Sequence, residues 1–191
     1  MDGPAGAAPV AREAGRGTAT PVAAPGEAPT APGDPRRVVV VGVGNSLRRD
    51  DGAGIAVVER ARPLLPPRVE VRTLSGEATT LLDAWAGADL AVVVDAVRWD
   101  HPAAGGVTRI DAISEPDAVT GWGAGASSHG LGVAEAVALA RALDRLPPRL
   151  ILLLIALAEE GQGEGLSPAV QGHVDEAVAL LVAEVTAAGR L

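Results

Sequence analysis

The residues able to do chemistry in this chain are few, and they stand at recurrent places. Asp50-Asp51-Gly52 follows a run of valines, and Glu77 stands in Ser75-Gly76-Glu77. Asp95 closes Val92-Val93-Val94-Asp95-Ala96, His129 sits in Ser127-Ser128-His129-Gly130, and Glu159-Glu160 follows the last apolar run. Two or three carboxylates with one neutral imidazole form the ligand set of a hard-to-borderline divalent metal. The same groups suit activation of water by an acid–base pair, and residue types alone leave both chemistries open. Adjacent carboxylates such as Asp50 and Asp51 repel each other unless a cation or a proton intervenes. His129 falls at a helix start, where the positive end of the helix lowers an imidazole pKa and favours its neutral, metal-binding form. The two other histidines are less promising. His101 lies in the turn-like Asp100-His101-Pro102, and His173 is expected on the surface of the last helix.

Each of these groups also has an ordinary explanation. An aspartate at a helix N-cap or in its first turn stabilises the helix by about 0.5–2 kcal/mol, which accounts for one of Asp50 and Asp51. Ser75 as N-cap with Glu77 as a first-turn acid would be a helix start and nothing more. Asp95 would then cap a neighbouring backbone group.

Composition removes whole classes of mechanism. The 191 residues include no Cys and no Lys, so thiolate zinc sites, cysteine nucleophiles, Schiff bases and a P-loop lysine are all excluded. A net charge of −8 opposes binding to a phosphate backbone, and 2% aromatic residues leave little to stack on bases. The longest apolar run, Leu150 to Ala158, is far short of the roughly 20 residues that span a bilayer. With no secretory h-region, the cytoplasm is the expected location.

The elements that must position these groups are legible from Arg37 onward. Residues 1–36 are rich in Ala, Pro and Gly and too poor in larger apolar side chains to form a core, so they read as a disordered tail. Residues 37–191 read as a single domain. Val38 to Val43, Val69 to Leu74, Leu90 to Val94 and Leu150 to Leu157 have the apolar or alternating character of strands, and Val107 to Ile110 reads as a short edge strand. Helices are expected over Gly52 to Leu65, Glu77 to Ala86, Gly130 to Leu143 and Ser167 to Ala188, the last opened by Ser167-Pro168 as N-cap and N1. The Gly/Ser/Ala-rich stretch Ile113 to Ser128 reads as loop. Strands alternating with helices imply an α/β fold: a three-layer α/β/α sandwich around a mostly parallel, twisted sheet of about five strands. Ligands of such sheets bind beyond the carboxyl ends of the strands, where the candidate groups fall.

Gly42-Val43-Gly44-Asn45-Ser46-Leu47 occupies the place of a dinucleotide fingerprint but fails it. The third glycine is replaced by Leu47, and the carboxylates of Asp50 and Asp51 would repel a pyrophosphate.

The order and wording of these segments resemble the nickel–iron hydrogenase maturation proteases. The similarity runs through Val39-Val40-Val41-Gly42-Val43-Gly44-Asn45-Ser46-Leu47-Arg48-Arg49-Asp50-Asp51-Gly52-Ala53-Gly54, the strand ending in Asp95-Ala96, Ser127-Ser128-His129-Gly130-Leu131, and Gly165-Leu166-Ser167-Pro168. It covers about residues 37 to 186. The resemblance implies an endopeptidase that removes a C-terminal extension from the hydrogenase large-subunit precursor after nickel insertion, recognising nickel in that substrate and using no nucleotide cofactor. It implies Asp51 and His129 as metal ligands. Where many members have Asp-Gly-Gly after the second strand, this chain has Arg72-Thr73-Leu74-Ser75-Gly76-Glu77, and the second acidic ligand is placed at Glu77. Asp51 and Asp95 are the expected catalytic carboxylates, Asp95 also as a group that orients His129. Gly42, Gly44, Asn45 and Asp50 are expected to meet the substrate. A monomer with neither nucleic-acid nor membrane partners is expected. The alternatives are a non-cleaving, metal-dependent chaperone of the same precursor, or another hydrolase on the same scaffold.

Overall fold

Three strands of the chain are almost purely aliphatic, and a strand of that kind must be covered on both faces. In the computed structural model they form the middle of one sheet. The structure describes residues 37–98, 106–123, 128–159 and 161–188, with backbone alone for 120–123 and 128–131. The expected tail, His101, Ser127 and Glu160 lie outside the described residues. The strands are β1 (Val38–Val43), β2 (Glu70–Leu74), β3 (Leu90–Val97), β4 (Val107–Asp111) and β5 (Arg149–Ala156). Their order is β2-β1-β3-β5-β4, parallel except for β4, which runs antiparallel to β5 on the edge. The helices are α1 (Ala53–Ala61), α2 (Ala78–Trp85), α3 (Pro116–Gly123), α4 (Ser128–Ala142) and α5 (Pro168–Ala188).

Alternation along the central strands builds two separate cores. Val38, Val40, Val92, Val94, Ile151 and Leu153 pack under α1 and α5. Val39, Val41, Ala91, Val93, Leu150 and Leu152 pack under α2 and α4, with Leu81, Trp85, Val133 and Val137 from the helices. The three-layer sandwich expected from the alternation of elements is therefore observed. Ser167 caps α5 as expected, its Oγ accepting a hydrogen bond from Val170 N at 3.3 Å.

Two expectations are corrected. The stretch from Ile113 is not all loop, because α3 begins at Pro116. Asp111 prepares it: its Oδ1 accepts from Ile113 N and Ser114 N, and its carbonyl accepts from Glu115 N. Glycines at 121 and 123 hide that helix from a propensity argument. Strand β3 also continues past Val94 to Val97, so Asp95 lies within it and not beyond it. Its neighbours Val94 and Ala96 face α1 and α5, which turns Asp95 toward the α2 and α4 side.

Gly42 and Gly44, expected to meet the substrate, serve the interior instead. A Cβ on Gly42 would lie 2.5 Å from Val58 Cγ2 and 2.7 Å from the Gly54 carbonyl, so α1 can cross β1 only over a bare backbone. Gly44 has φ of +133°, and a Cβ there would strike the Asp51 carbonyl. Gly42→Ala is expected to lower Tm by about 5 °C or more through overpacking of the α1–β1 contact, measurable by thermal denaturation.

Candidate active site

Parallel β1 and β3 are neighbours, with Gly42 opposite Val94. The chain leaves β1 for β2 on one side and returns to β3 on the other. The carboxyl ends of β1 and β3 are thus the point where the winding of the sheet reverses, the place where open α/β sheets bind ligands. Two of the expected residues meet there. A tight 3-10 turn, Arg49–Gly52, carries Asp51 back across the end of β3, and Asp95 projects from β3 itself. Asp51 is 8% exposed and Asp95 is fully buried.

The electrostatics of this pair follow from that burial. Desolvation pushes the Asp95 carboxyl up to about 8, and the negative charge of Asp51 adds to the rise. The hydrogen bond from Ala96 N to Asp95 Oδ1, 2.9 Å, opposes it only in part. Asp95 Oδ2 is buried and accepts no hydrogen bond from any described residue. A buried carboxylate oxygen without a donor is costly unless it is protonated or meets a cation. At neutral pH Asp95 therefore keeps its proton beside the negative charge of Asp51.

Asp50 has the opposite fate, and the expectation that it meets substrate is corrected. Its carboxylate is fully buried and accepts from Ser167 N (2.6 Å), Glu159 N (2.7 Å), Ser167 Oγ (2.8 Å) and Ala158 N (3.2 Å). Burial pushes its pKa up, but these hydrogen bonds outweigh burial and hold it below the usual carboxylate value. Both aspartates fall in the first turn of this 3-10 segment, whose N-cap is Arg48, so a favourable helix-start position is available to each and does not by itself tell them apart.

Glu77 lies on the exposed rim of the same sheet end. It occupies the N-cap position of α2, makes no capping bond, and lies 3.4 Å from Thr80 Oγ1. His129 falls in the first turn of α4, and its side chain is outside the described residues. The start of α4 nevertheless packs on this rim, because Gly132 lies so close to the Gly76 carbonyl that a Cβ would collide with it. A cleft of about 490 Å³ between them is lined by Ser75, Gly76, Glu77, Gly132 and Glu135 among others. Among the described residues no three His, Asp or Glu side chains gather as a metal site. The carboxyls of Asp51 and Asp95 are hard oxygen donors of the kind a divalent cation takes.

Asn45 is half-buried, and its Oδ1 accepts from Leu47 N at 2.9 Å, closing a turn that leaves Leu47 61% exposed. With Arg48 and residues 161–164 they line an open cleft of about 670 Å³ next to the Asp51 turn. Sequence reasoning missed the partners of this turn: Ser167 as the hydrogen-bond donor to Asp50, and Arg49. Arg49 holds a left-handed φ of 51°, donates from its N to Gly163 O, and pairs with Glu159 at 3.1 Å. The signal for Ser167 is present in the doubled aspartates, since a second buried carboxylate needs donors from somewhere.

A family model described as hydrogenase maturation protease matches residues 61–184. The chain belongs to the hydrogenase maturation protease family. It is 34% identical over 159 residues to the hydrogenase expression/formation protein HupD of Rhodobacter capsulatus, covering 81% of this chain and 74% of that one. It is 27% identical to the hydrogenase 2 maturation protease of Escherichia coli, over 80% of this chain and 93% of the other. The hydrogenase maturating endopeptidase HybD from E. coli superposes with a TM-score of 0.69 at 26% identity, over 80% of this chain and 94% of that one. A [NiFe] hydrogenase maturation protease HybD from Thermococcus kodakarensis gives 0.62 at 25% identity, over 78% and 99%. As a hydrogenase maturation protease the protein is an endopeptidase, a hydrolase of peptide bonds. No helix among the described residues is long and apolar enough to cross a membrane.

Proposed function

We propose that this hydrogenase maturation protease removes the C-terminal extension of a nickel–iron hydrogenase large-subunit precursor after nickel insertion. The observation that carries the proposal is the buried Asp51–Asp95 pair, with Asp95 holding its proton, at the reversal point of the sheet. Nickel arrives in the substrate and supplies, when bound, the positive charge that the pair reads. Asp51 would face it, with His129 as the imidazole ligand on the start of α4 and Asp95 buried beside Asp51. Glu77 is exposed on the rim and acts as a peripheral ligand or docking group.

The same pair acts on the peptide bond as an aspartic-type dyad. The charged carboxylate of Asp51 accepts a proton from the attacking water. The protonated Asp95 donates a hydrogen bond to the scissile carbonyl oxygen as negative charge develops on it. The water oxygen bonds to the carbonyl carbon, the C–N bond breaks, and the leaving amine takes up the proton. The enzyme works as a cytoplasmic monomer and binds neither nucleic acid nor membrane.

Purified protein mixed with nickel-loaded precursor is expected to yield a shortened product by mass spectrometry, while nickel-free precursor stays intact. A nickel-loaded precursor that is bound but never shortened overturns the proposal. Glu77→Gln is expected to retain cleavage within about tenfold of wild type, because an exposed carboxylate contributes far less than a buried one. Loss as large as that of Asp51→Ala would instead make Glu77 a principal ligand.

A further inference from the structure

The four hydrogen bonds to Asp50 tie together three parts of the chain that meet at the site. Oδ1 accepts from Ser167 N, and Oδ2 accepts from Ala158 N, Glu159 N and Ser167 Oγ. Ala158 and Glu159 follow β5, and Ser167 is the cap of α5. Asp50 itself belongs to the 3-10 turn that also bears Asp51. Successive residues of such a turn point about 120° apart, so a fixed Asp50 dictates where Asp51 points. The turn is under backbone strain, with Arg49 at φ 51°, and it is held from outside through Arg49 N to Gly163 O and Gly163 N to Leu47 O.

From this geometry we infer that Asp50 is a positioning residue. Its buried carboxylate nails the turn to the β5–α5 connection and thereby sets Asp51 against Asp95. The inference rests on the proposed role of Asp51 and extends it to a residue that never meets the substrate. Shape alone does not suffice for this role. In Asp50→Asn the amide nitrogen must face backbone N–H groups whichever way it turns, Ser167 N on one side or Ala158 N and Glu159 N on the other.

Steady-state cleavage of nickel-loaded precursor, normalised to the folded fraction and run well below Tm, tests the inference. For Asp50→Asn, kcat is expected to fall roughly 100-fold with KM within about twofold of wild type, the consequence of a displaced Asp51. Ser167→Ala, which removes one of the four hydrogen bonds, is expected to lower kcat roughly tenfold, and Ser167→Thr restores it by returning the hydroxyl. Unchanged kcat in variants that have only lost thermal stability overturns the inference, since Asp50 would then be a structural tether. A raised KM with unchanged kcat overturns it too, since Asp50 would then act on substrate binding. Should Asp50→Asn fail to fold, the Ser167 pair decides. Wild-type protein that leaves the precursor uncut brings down the proposed function and this inference with it, whereas active wild type with unaffected variants brings down this inference alone.

Discussion

Asp51→Ala leaves the nickel-loaded precursor essentially uncut. A loss of about 10³-fold is expected, within the 10²–10⁴ range of a positioned acid–base group, and larger if the carboxylate also binds the substrate metal. The fold is expected to survive, because the truncation removes a buried carboxylate and Asp51 is not the four-donor anchor of its turn. That part belongs to Asp50, with four donors on its carboxylate. Removing Asp51 also removes the negative charge that helps raise the Asp95 pKa, so the variant loses an unfavourable interaction along with its chemistry. Product formation followed by mass spectrometry, with a thermal melt as control, measures both consequences. Cleavage within tenfold of wild type in a well-folded variant would remove Asp51 from the mechanism.

Asp95→Asn is expected to abolish a fall in stability with rising pH that Asp95 imposes on the metal-free protein. The folded-state pKa of Asp95 is about 8, against about 4 for an aspartate in an unfolded chain. Between these values the unfolded chain has released a proton that the folded chain keeps, so stability falls as pH rises. The slope reaches about 1.4 kcal/mol per pH unit from this group alone. Above pH 8 the folded state carries a buried charge, and the total loss amounts to several kcal/mol. Asparagine has no proton to lose and nearly the same shape. Urea denaturation in the presence of a chelator should therefore show the wild type weakening from pH 5 to 9 relative to the variant, with the variant the more stable at pH 9. Parallel profiles for the two proteins would contradict the burial assigned to Asp95. Asp50 gives the opposite sign: its lowered pKa stabilises the fold above the unfolded value, and that contribution is lost as pH falls through the folded-state pKa. Asp50 on the turn and Asp95 on β3 thus bound the stable range from opposite sides.

Much of this site is legible in the order of residues along the chain. The valine run of β1, the apolar β3 and β5, and the Ser167-Pro168 start of α5 declare themselves through local pattern. Once the sheet is known to be mostly parallel, the groups at the strand ends are the natural candidates. What local pattern does not reveal is which carboxylate does which job. Asp50 and Asp51 are identical side chains side by side, yet one is an anchor while the other faces Asp95. The anchor is chosen by Ser167, 117 positions away. By sequence Glu77 is placed as the second acidic ligand beside Asp51, and Asp95 as a catalytic or orienting carboxylate. Burial separates them, because Asp95 lies within a central strand while Glu77 lies at the exposed start of a helix. Gly42 and Gly44 mislead for a related reason: a glycine beside a site is as readily a close approach of backbone to backbone as of backbone to ligand.

The layers, the strand character and the end of the sheet where chemistry collects are therefore properties of the sequence alone. Hydrophobic periodicity and helix caps are set by near neighbours along the chain. The roles of the acids are settled by folding. A carboxylate's charge state depends on the donors, the dielectric and the like charges around it, and here those come from β3, from the end of β5 and from the cap of α5, which meet only in three dimensions.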